Sequence, residues 1–132
     1  MSTTEPTVVP GLTRTAQWTV GPDMGPPHLP VTVLSTPWML GLIEQTCHDA
    51  VAPLLGPHRT VVGTGVELEH IAPAREGSTV EVTVEVIEAG RRMVFAAQVV
   101  VPAADHDSTA DPVVVGTATM RMAVVGLRRF GR

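Results

Sequence analysis

Hydrophobic and polar positions alternate along much of the second half of the chain. Residues 78–86 read STVEVTVEV, where every second side chain is a valine. This period of two is typical of a β-strand with one buried face, so we predict a strand over residues 79–89. A turn at AGR (89–91) joins it to the next strand. Other Val- and Thr-rich runs predict strands over residues 13–20, 59–70, 92–101 and 112–125.

One segment has helical spacing instead. Apolar residues recur at every third or fourth position between residues 39 and 51 and cover most of the circumference, which predicts a helix buried on several sides. Thr36 is a suitable N-cap and Pro37 suits the first helical position, so we expect the helix to begin there. Pro53 and Gly56 should end it.

The elements follow one another as a strand, a proline-rich loop, one long helix and four strands. This order predicts an α+β fold, the hot-dog fold, in which a mostly antiparallel five-stranded sheet wraps around one central helix. A single protomer of this kind leaves sheet edge exposed, so we expect a homodimer. We expect a flexible tail over residues 1–12, one hot-dog domain over residues 13–126 and a short basic tail over residues 127–132.

Composition narrows the choice of partners. The chain has 132 residues, enough for one domain, with a net charge of −4, no lysine and only 3% aromatic residues. These values disfavour nucleic acid as a partner. One cysteine, Cys47, excludes an intrachain disulfide and a zinc–thiolate cluster, and the histidines lack metal-ligand spacing, so we expect no metal. Without a signal pattern or a long apolar run, we expect no membrane and a cytoplasmic location.

Four residues are candidates for chemistry. Glu44, in the middle of the helix, is either a buried carboxylate that needs a partner or part of a solvent-facing strip with His48. His70 ends a strand before a turn, where catalytic groups tend to lie, although a surface histidine is the alternative. Thr36 would lie about 12 Å of helical rise from Glu44 if both were helical. Gly63 interrupts a Val-rich strand, which indicates a bulge or a close approach by a ligand, with ordinary strand irregularity as the alternative. We expect Cys47 to lie in the core.

The spacing of these residues also resembles that of a known protein family. The segments TPWMLGLIE (36–44) and GTGVELEH (63–70) place a Thr eight positions before a Glu and a Gly seven positions before a His. Over about residues 30–125 the chain resembles the fluoroacetyl-CoA thioesterase family of hot-dog proteins. An arginine in the family's last strand corresponds to Arg121.

The resemblance implies hydrolysis of an acyl-CoA thioester by a Thr/Glu/His set. His70 would be the general base, and Glu44 would polarise a water molecule or attack the carbonyl. Thr36 would hydrogen-bond the reacting groups. The N–H of Gly63 would contact the acyl group or the oxyanion, and Arg121 would orient the site. Coenzyme A is then part of the substrate, and no separate cofactor is expected.

The chain departs from the family in two places that shape the acyl pocket. The family's fluoroacetate enzymes carry a phenylalanine-bearing lid before the Thr, whereas residues 26–35 contain no Phe. Trp38, a substrate-binding candidate, stands where the family has other residues. We therefore expect a different or broader small acyl group, carried by coenzyme A or by an acyl carrier protein. Arg91 and Arg92 are candidates for binding the phosphates.

Three other functions compete with hydrolysis. The chain could bind acyl-CoA without catalysis, act on an enoyl thioester as a dehydratase or hydratase, or serve only as a structural dimer. A non-catalytic binder would not need both Glu44 and His70. A dehydratase would need an Asp–His pair, and we expect the adjacent His48 and Asp49 to point to different faces of the helix.

Overall fold

The structure is a computed structural model that describes residues 7–103 and 111–131. Its elements are β1 (Thr13–Thr19), α1 (Thr36–Val51), β2 (Arg59–His70), β3 (Thr79–Glu88), β4 (Arg92–Val101) and β5 (Val113–Gly126), with 3₁₀ turns at Ala52–Leu54 and Leu127–Phe130. The predicted strands and helix are all present, within two residues of their expected bounds for the strands. The predicted tails lie partly outside the described residues, at 1–6 and 132.

The five strands form one antiparallel sheet in the order β1-β3-β4-β5-β2, so β1 and β2 are its edges. The helix α1 packs across one face of the sheet, against β1, β2 and β3. This arrangement confirms the predicted α+β hot-dog fold. No helix among the described residues is long and apolar enough to cross a membrane.

The core lies between α1 and the inner face of the sheet. It is built from mid-sized aliphatic side chains and one phenylalanine rather than from stacked aromatic rings. Its largest fully buried members include Phe95, Leu34, Met39, Ile43, Met122 and Val51. Two residues of the predicted N-terminal tail, Val8 and Leu12, also pack against this core. The N–H of Gly11 donates to the carbonyl of Val86 at 2.8 Å, which ties the start of the described chain to β3.

A β-bulge in β2 decides which of its side chains face the helix. The register against β5 shifts between Gly63 and Gly65, so β2 carries one extra residue there. Before the bulge Val61 is buried, and beyond it the inward positions change parity to residues 66, 68 and 70. A one-residue slip moves side chains to the other face of a sheet. The bulge therefore turns His70 toward the helix.

The N-cap of the helix lies one residue earlier than we expected. Its N-cap is Ser35, whose hydroxyl oxygen accepts a hydrogen bond from the N–H of Trp38 at 3.3 Å. Thr36 is the first helical residue, so the prediction that Thr36 is the cap was wrong. Because Ser35 satisfies the helix end, the Thr36 hydroxyl is available for another partner.

Gly116 in β5 is a close-packed position opposite His70. A Cβ added to it would lie 2.5 Å from the Met39 methyl carbon and 2.8 Å from the Glu69 carbonyl oxygen. We therefore expect Gly116→Ala to destabilise the protein by about 1–3 kcal/mol, because the Glu69 backbone cannot give way cheaply. Urea unfolding at fixed protein concentration measures this.

The matched control is Gly126→Ala in the same strand. A Cβ at Gly126 meets nothing within 4 Å, and its φ of −79° suits any residue. Its unfolding midpoint should stay within the scatter of the parent protein. Equal midpoints for both variants would contradict the packing described at Gly116.

Candidate active site

Thr36 and His70 form a hydrogen-bonded pair. The Thr36 hydroxyl oxygen lies 2.9 Å from His70 Nδ1, in a position open to solvent. Two local features create the contact. Ser35 caps the helix and leaves the Thr36 hydroxyl free, and the bulge in β2 turns His70 inward. A hydroxyl and an imidazole in contact at an accessible position are suited to proton transfer.

Glu44 lies against the backbone of β2. Its Oε2 is 2.7 Å from the position that a Cβ would take on Gly63, and the Met120 methyl carbon is equally near. Only glycine leaves room for this approach. The bulge predicted at Gly63 is present, but the group that approaches the glycine is a side chain of α1 and not a ligand. Glu44 is half-buried, so it is neither enclosed in the core nor on a free strip of the helix.

The Glu44 carboxylate opens onto a small cavity of about 250 Å³. The residues that line it are Gly41, Glu44, Gln45, His48, Val61 and Met122. Polar groups of α1 thus face an apolar floor from the sheet, and the missing side chain at Gly41 leaves one side open. An arrangement of a few polar groups over an apolar surface is typical of small-molecule sites.

Within one chain, the Thr36–His70 pair is separate from Glu44 and Gly63. Thr36 and Glu44 both belong to α1, so about 12 Å of helical rise lies between them. Gly63 and His70 are seven positions apart on β2, roughly 20 Å of extended strand. A single chain therefore brings Thr36 to His70 and Glu44 to Gly63, and it does not bring all four residues together.

Arg121 lies on the other face of the sheet. Its neighbours in β5, Met120 and Met122, point inward, so Arg121 points outward. Its Nη2 donates to Glu67 Oε1 at 2.6 Å, and the two side chains are 48% and 73% exposed. Within a single chain Arg121 therefore faces away from Thr36, Glu44 and His70, and its role in orienting the site stays a prediction. The strand alternation that buries the methionines is the reason for this outward orientation.

Trp38 lies two residues after Thr36 and is 39% exposed. Ile71, directly after His70, is also exposed. Large apolar side chains therefore flank both members of the Thr36–His70 pair. The substrate-binding role of Trp38 stays a prediction.

Cys47 is fully buried, as expected for a core position. Burial raises the pKa of its thiol to about 12, and the nearby negative charge of Glu44 adds to the shift. The thiol therefore stays protonated at neutral pH and is a poor nucleophile.

His48 and Asp49 form a pair that the sequence reasoning missed. His48 Nδ1 lies 3.0 Å from Asp49 Oδ1, so the expectation that they point to different faces was wrong. Gln45 Nε2 donates to the same oxygen at 2.9 Å. The spacing of Gln45 and Asp49, four residues apart on a helix, was the signal that could have revealed this network. Among the described residues no group of three or more His, Cys, Asp or Glu side chains could hold a metal ion.

The sheet, its single helix and these polar groups define a hot-dog protein with side chains of the types that serve acyl-transfer chemistry. The chain belongs to the fluoroacetyl-CoA-specific thioesterase family, whose model matches residues 15–126. It is 33% identical over 99 residues to the fluoroacetyl-CoA thioesterase of Streptantibioticus cattleyicolor, a match that covers 74% of this chain and 65% of that relative's length.

Two solved structures show the same architecture. One is a variant of the fluoroacetyl-CoA-specific thioesterase FlK in complex with fluoroacetate and CoA, with a TM-score of 0.77, 29% identity and coverage of 93% of this chain and 99% of that one. The other is a hot-dog-like protein from Thermanaerovibrio acidaminovorans, with a TM-score of 0.78, 22% identity and coverage of 92% and 87%. The second match bears on the fold alone.

The environment of Cys47 gives a direct test of the helix packing. In the native protein at pH 8, Cys47 should react with a disulfide reagent only very slowly, because its thiol is buried and protonated. In concentrated guanidinium chloride the one thiol should react at the rate of a free cysteine. Fast labelling of the folded protein would contradict the burial of this face of α1.

Proposed function

We propose that this protein hydrolyses the thioester of a small acyl group with coenzyme A, releasing the free acid and the CoA thiol. The observation that carries the proposal is the Thr36–His70 hydrogen bond at an accessible end of α1, in a chain of this family. The second support is the Glu44 carboxylate at the mouth of a small cavity beside Gly63. A similar structure holds fluoroacetate and CoA, which supports coenzyme A as the carrier.

The reaction needs an attacking oxygen, a base and stabilisation of the negative charge that develops on the carbonyl oxygen. In the proposed mechanism Glu44 polarises the attacking water, whose oxygen bonds to the carbonyl carbon. The carbon–sulfur bond then breaks. His70, oriented by Thr36, takes up the proton from the water and returns it to the leaving thiolate. The backbone N–H of Gly63 would contact the acyl group or the developing oxyanion.

The separation of the site into two groups supports a homodimer. β2 is an edge strand, and its outer N–H and C=O groups have no neighbouring strand among the described residues. Two β2 edges pairing antiparallel about a two-fold axis near Val66 would set the region around residue 63 of one chain beside the region around residue 70 of the other. Each Thr36–His70 pair would then face the partner's Glu44.

The first test measures thiol release from short acyl-CoA thioesters, among them acetyl, propionyl and fluoroacetyl. We expect turnover by the parent protein and a loss of at least a hundredfold in kcat for Glu44→Gln and for His70→Asn, each near-isosteric and folded by circular dichroism. Thr36→Val should lose much of the activity, whereas Thr36→Ser, which keeps the hydroxyl, should retain most of it.

Two outcomes would contradict this assignment. Turnover that survives in both Glu44→Gln and His70→Asn would remove these residues from the mechanism. A folded protein that binds acyl-CoA and releases no thiol from any of the thioesters would favour the non-catalytic binder instead.

Mixing two inactive variants tests whether each active site is formed by residues of both chains. If Glu44 acts on the partner's Thr36–His70 pair, a heterodimer of Glu44→Gln with His70→Asn contains one site with both residues intact. After the two variants are unfolded and refolded together, about a quarter of the parent activity should return, because half of the dimers are mixed and each has one good site. Activity no higher than that of either variant alone would contradict the shared arrangement.

A further inference from the structure

A hydrogen-bonded network of three side chains lies on α1 one turn beyond Glu44. Asp49 Oδ1 accepts hydrogen bonds from Gln45 Nε2 at 2.9 Å and from His48 Nδ1 at 3.0 Å. The mechanism proposed above uses none of these residues. Two donors on one carboxylate oxygen fix the orientation of the His48 ring more firmly than a single contact would.

The network determines which ring nitrogen of His48 carries the hydrogen. The hydrogen bond from His48 holds the pKa of the Asp49 carboxyl below its usual value, and the hydrogen bond from Gln45 acts in the same direction. An ionised carboxylate can only accept, so Nδ1 must be the donor. In the neutral ring Nε2 then has the free lone pair, and His48 presents a hydrogen-bond acceptor.

His48 and Glu44 line the same cavity. Because they are four residues apart on one helix, they are neighbours on its surface. A thioester carbonyl beside Glu44 with its acyl chain in this cavity would bring the first atoms of that chain toward His48. None of the residues lining the cavity is an arginine, so it offers no cation to a negatively charged acyl group. Glu44 and, in this tautomer, Nε2 of His48 are acceptors among its lining groups, and they suit an acyl group that carries a donor.

We propose that His48 is a specificity-determining residue, which accepts a hydrogen bond from a hydroxyl group near the start of the acyl chain. Short hydroxyacyl thioesters are then the favoured substrate class. This inference rests on the proposed thioesterase function and adds to it the chemistry of the acyl group. Asp49 is a positioning residue, because it acts by holding His48 in the accepting form.

The test compares two thioesters of similar size. Glycolyl-CoA carries a hydroxyl group that can donate, and fluoroacetyl-CoA carries a fluorine that cannot. The readout is the ratio of their kcat/KM values, and its change on mutation cancels the difference in intrinsic reactivity of the two thioesters. In His48→Phe, which keeps a ring without the acceptor nitrogen, the ratio should fall about three- to tenfold, the effect of one hydrogen bond.

Asp49→Leu separates the tautomer from simple packing. Leucine is similar in size but has no oxygen to accept from Nδ1, so the ring hydrogen is no longer held there and His48 is no longer fixed as an acceptor at Nε2. The ratio should therefore also fall in Asp49→Leu, although His48 is still present. The matched control is His58→Phe, since His58 is exposed and does not line the cavity, and its ratio should equal that of the parent.

An unchanged ratio in His48→Phe would overturn the inference. So would a parent protein that cleaves acetyl- or propionyl-CoA but not glycolyl-CoA, and in that case the thioesterase function would stand. A parent protein that cleaves no acyl-CoA at all would overturn the proposed function, and this inference with it.

Discussion

The β-bulge between Gly63 and Gly65 is the constraint on which the rest of the site depends. Before it, Gly63 faces the helix and leaves room for the Glu44 carboxylate. After it, the inward parity of β2 has changed, so His70 rather than Glu69 faces α1 and meets Thr36. One extra residue in an edge strand thus lets Gly63 and His70, seven positions apart, both face the helix.

The fold was predictable because its signals are local and repeated. Strict alternation in residues 78–86 and Val- and Thr-rich runs elsewhere predicted the strands, and helical spacing between prolines predicted α1. The site was harder to predict, since it depends on one-residue choices that periodicity does not resolve. A serine rather than the following threonine caps α1, which frees Thr36 for His70. Arg121 falls between two buried methionines, so it faces outward to Glu67.

The surroundings of Glu44 also could not be predicted from the sequence. Its spacing from His48 allowed either a buried carboxylate or a surface pair, and the structure has it half-buried, sharing a cavity with His48. The bond between His48 and Asp49 depends on side-chain rotamers, and adjacency along a helix argues against it. The lining of this cavity therefore depends on two separate contacts of α1, one between Glu44 and the backbone of β2 and one between His48 and Asp49 on the helix surface.

The most direct measurement compares Gly63→Ala with Gly65→Ala in the thiol-release assay. A Cβ at Gly63 would occupy the space of the Glu44 carboxylate, whereas a Cβ at Gly65, two residues along the same strand, meets nothing within 4 Å. If the approach of Glu44 to β2 positions the reacting groups, Gly63→Ala should fold and lose kcat by at least tenfold, with Gly65→Ala close to the parent. Full activity in a folded Gly63→Ala protein would contradict the account.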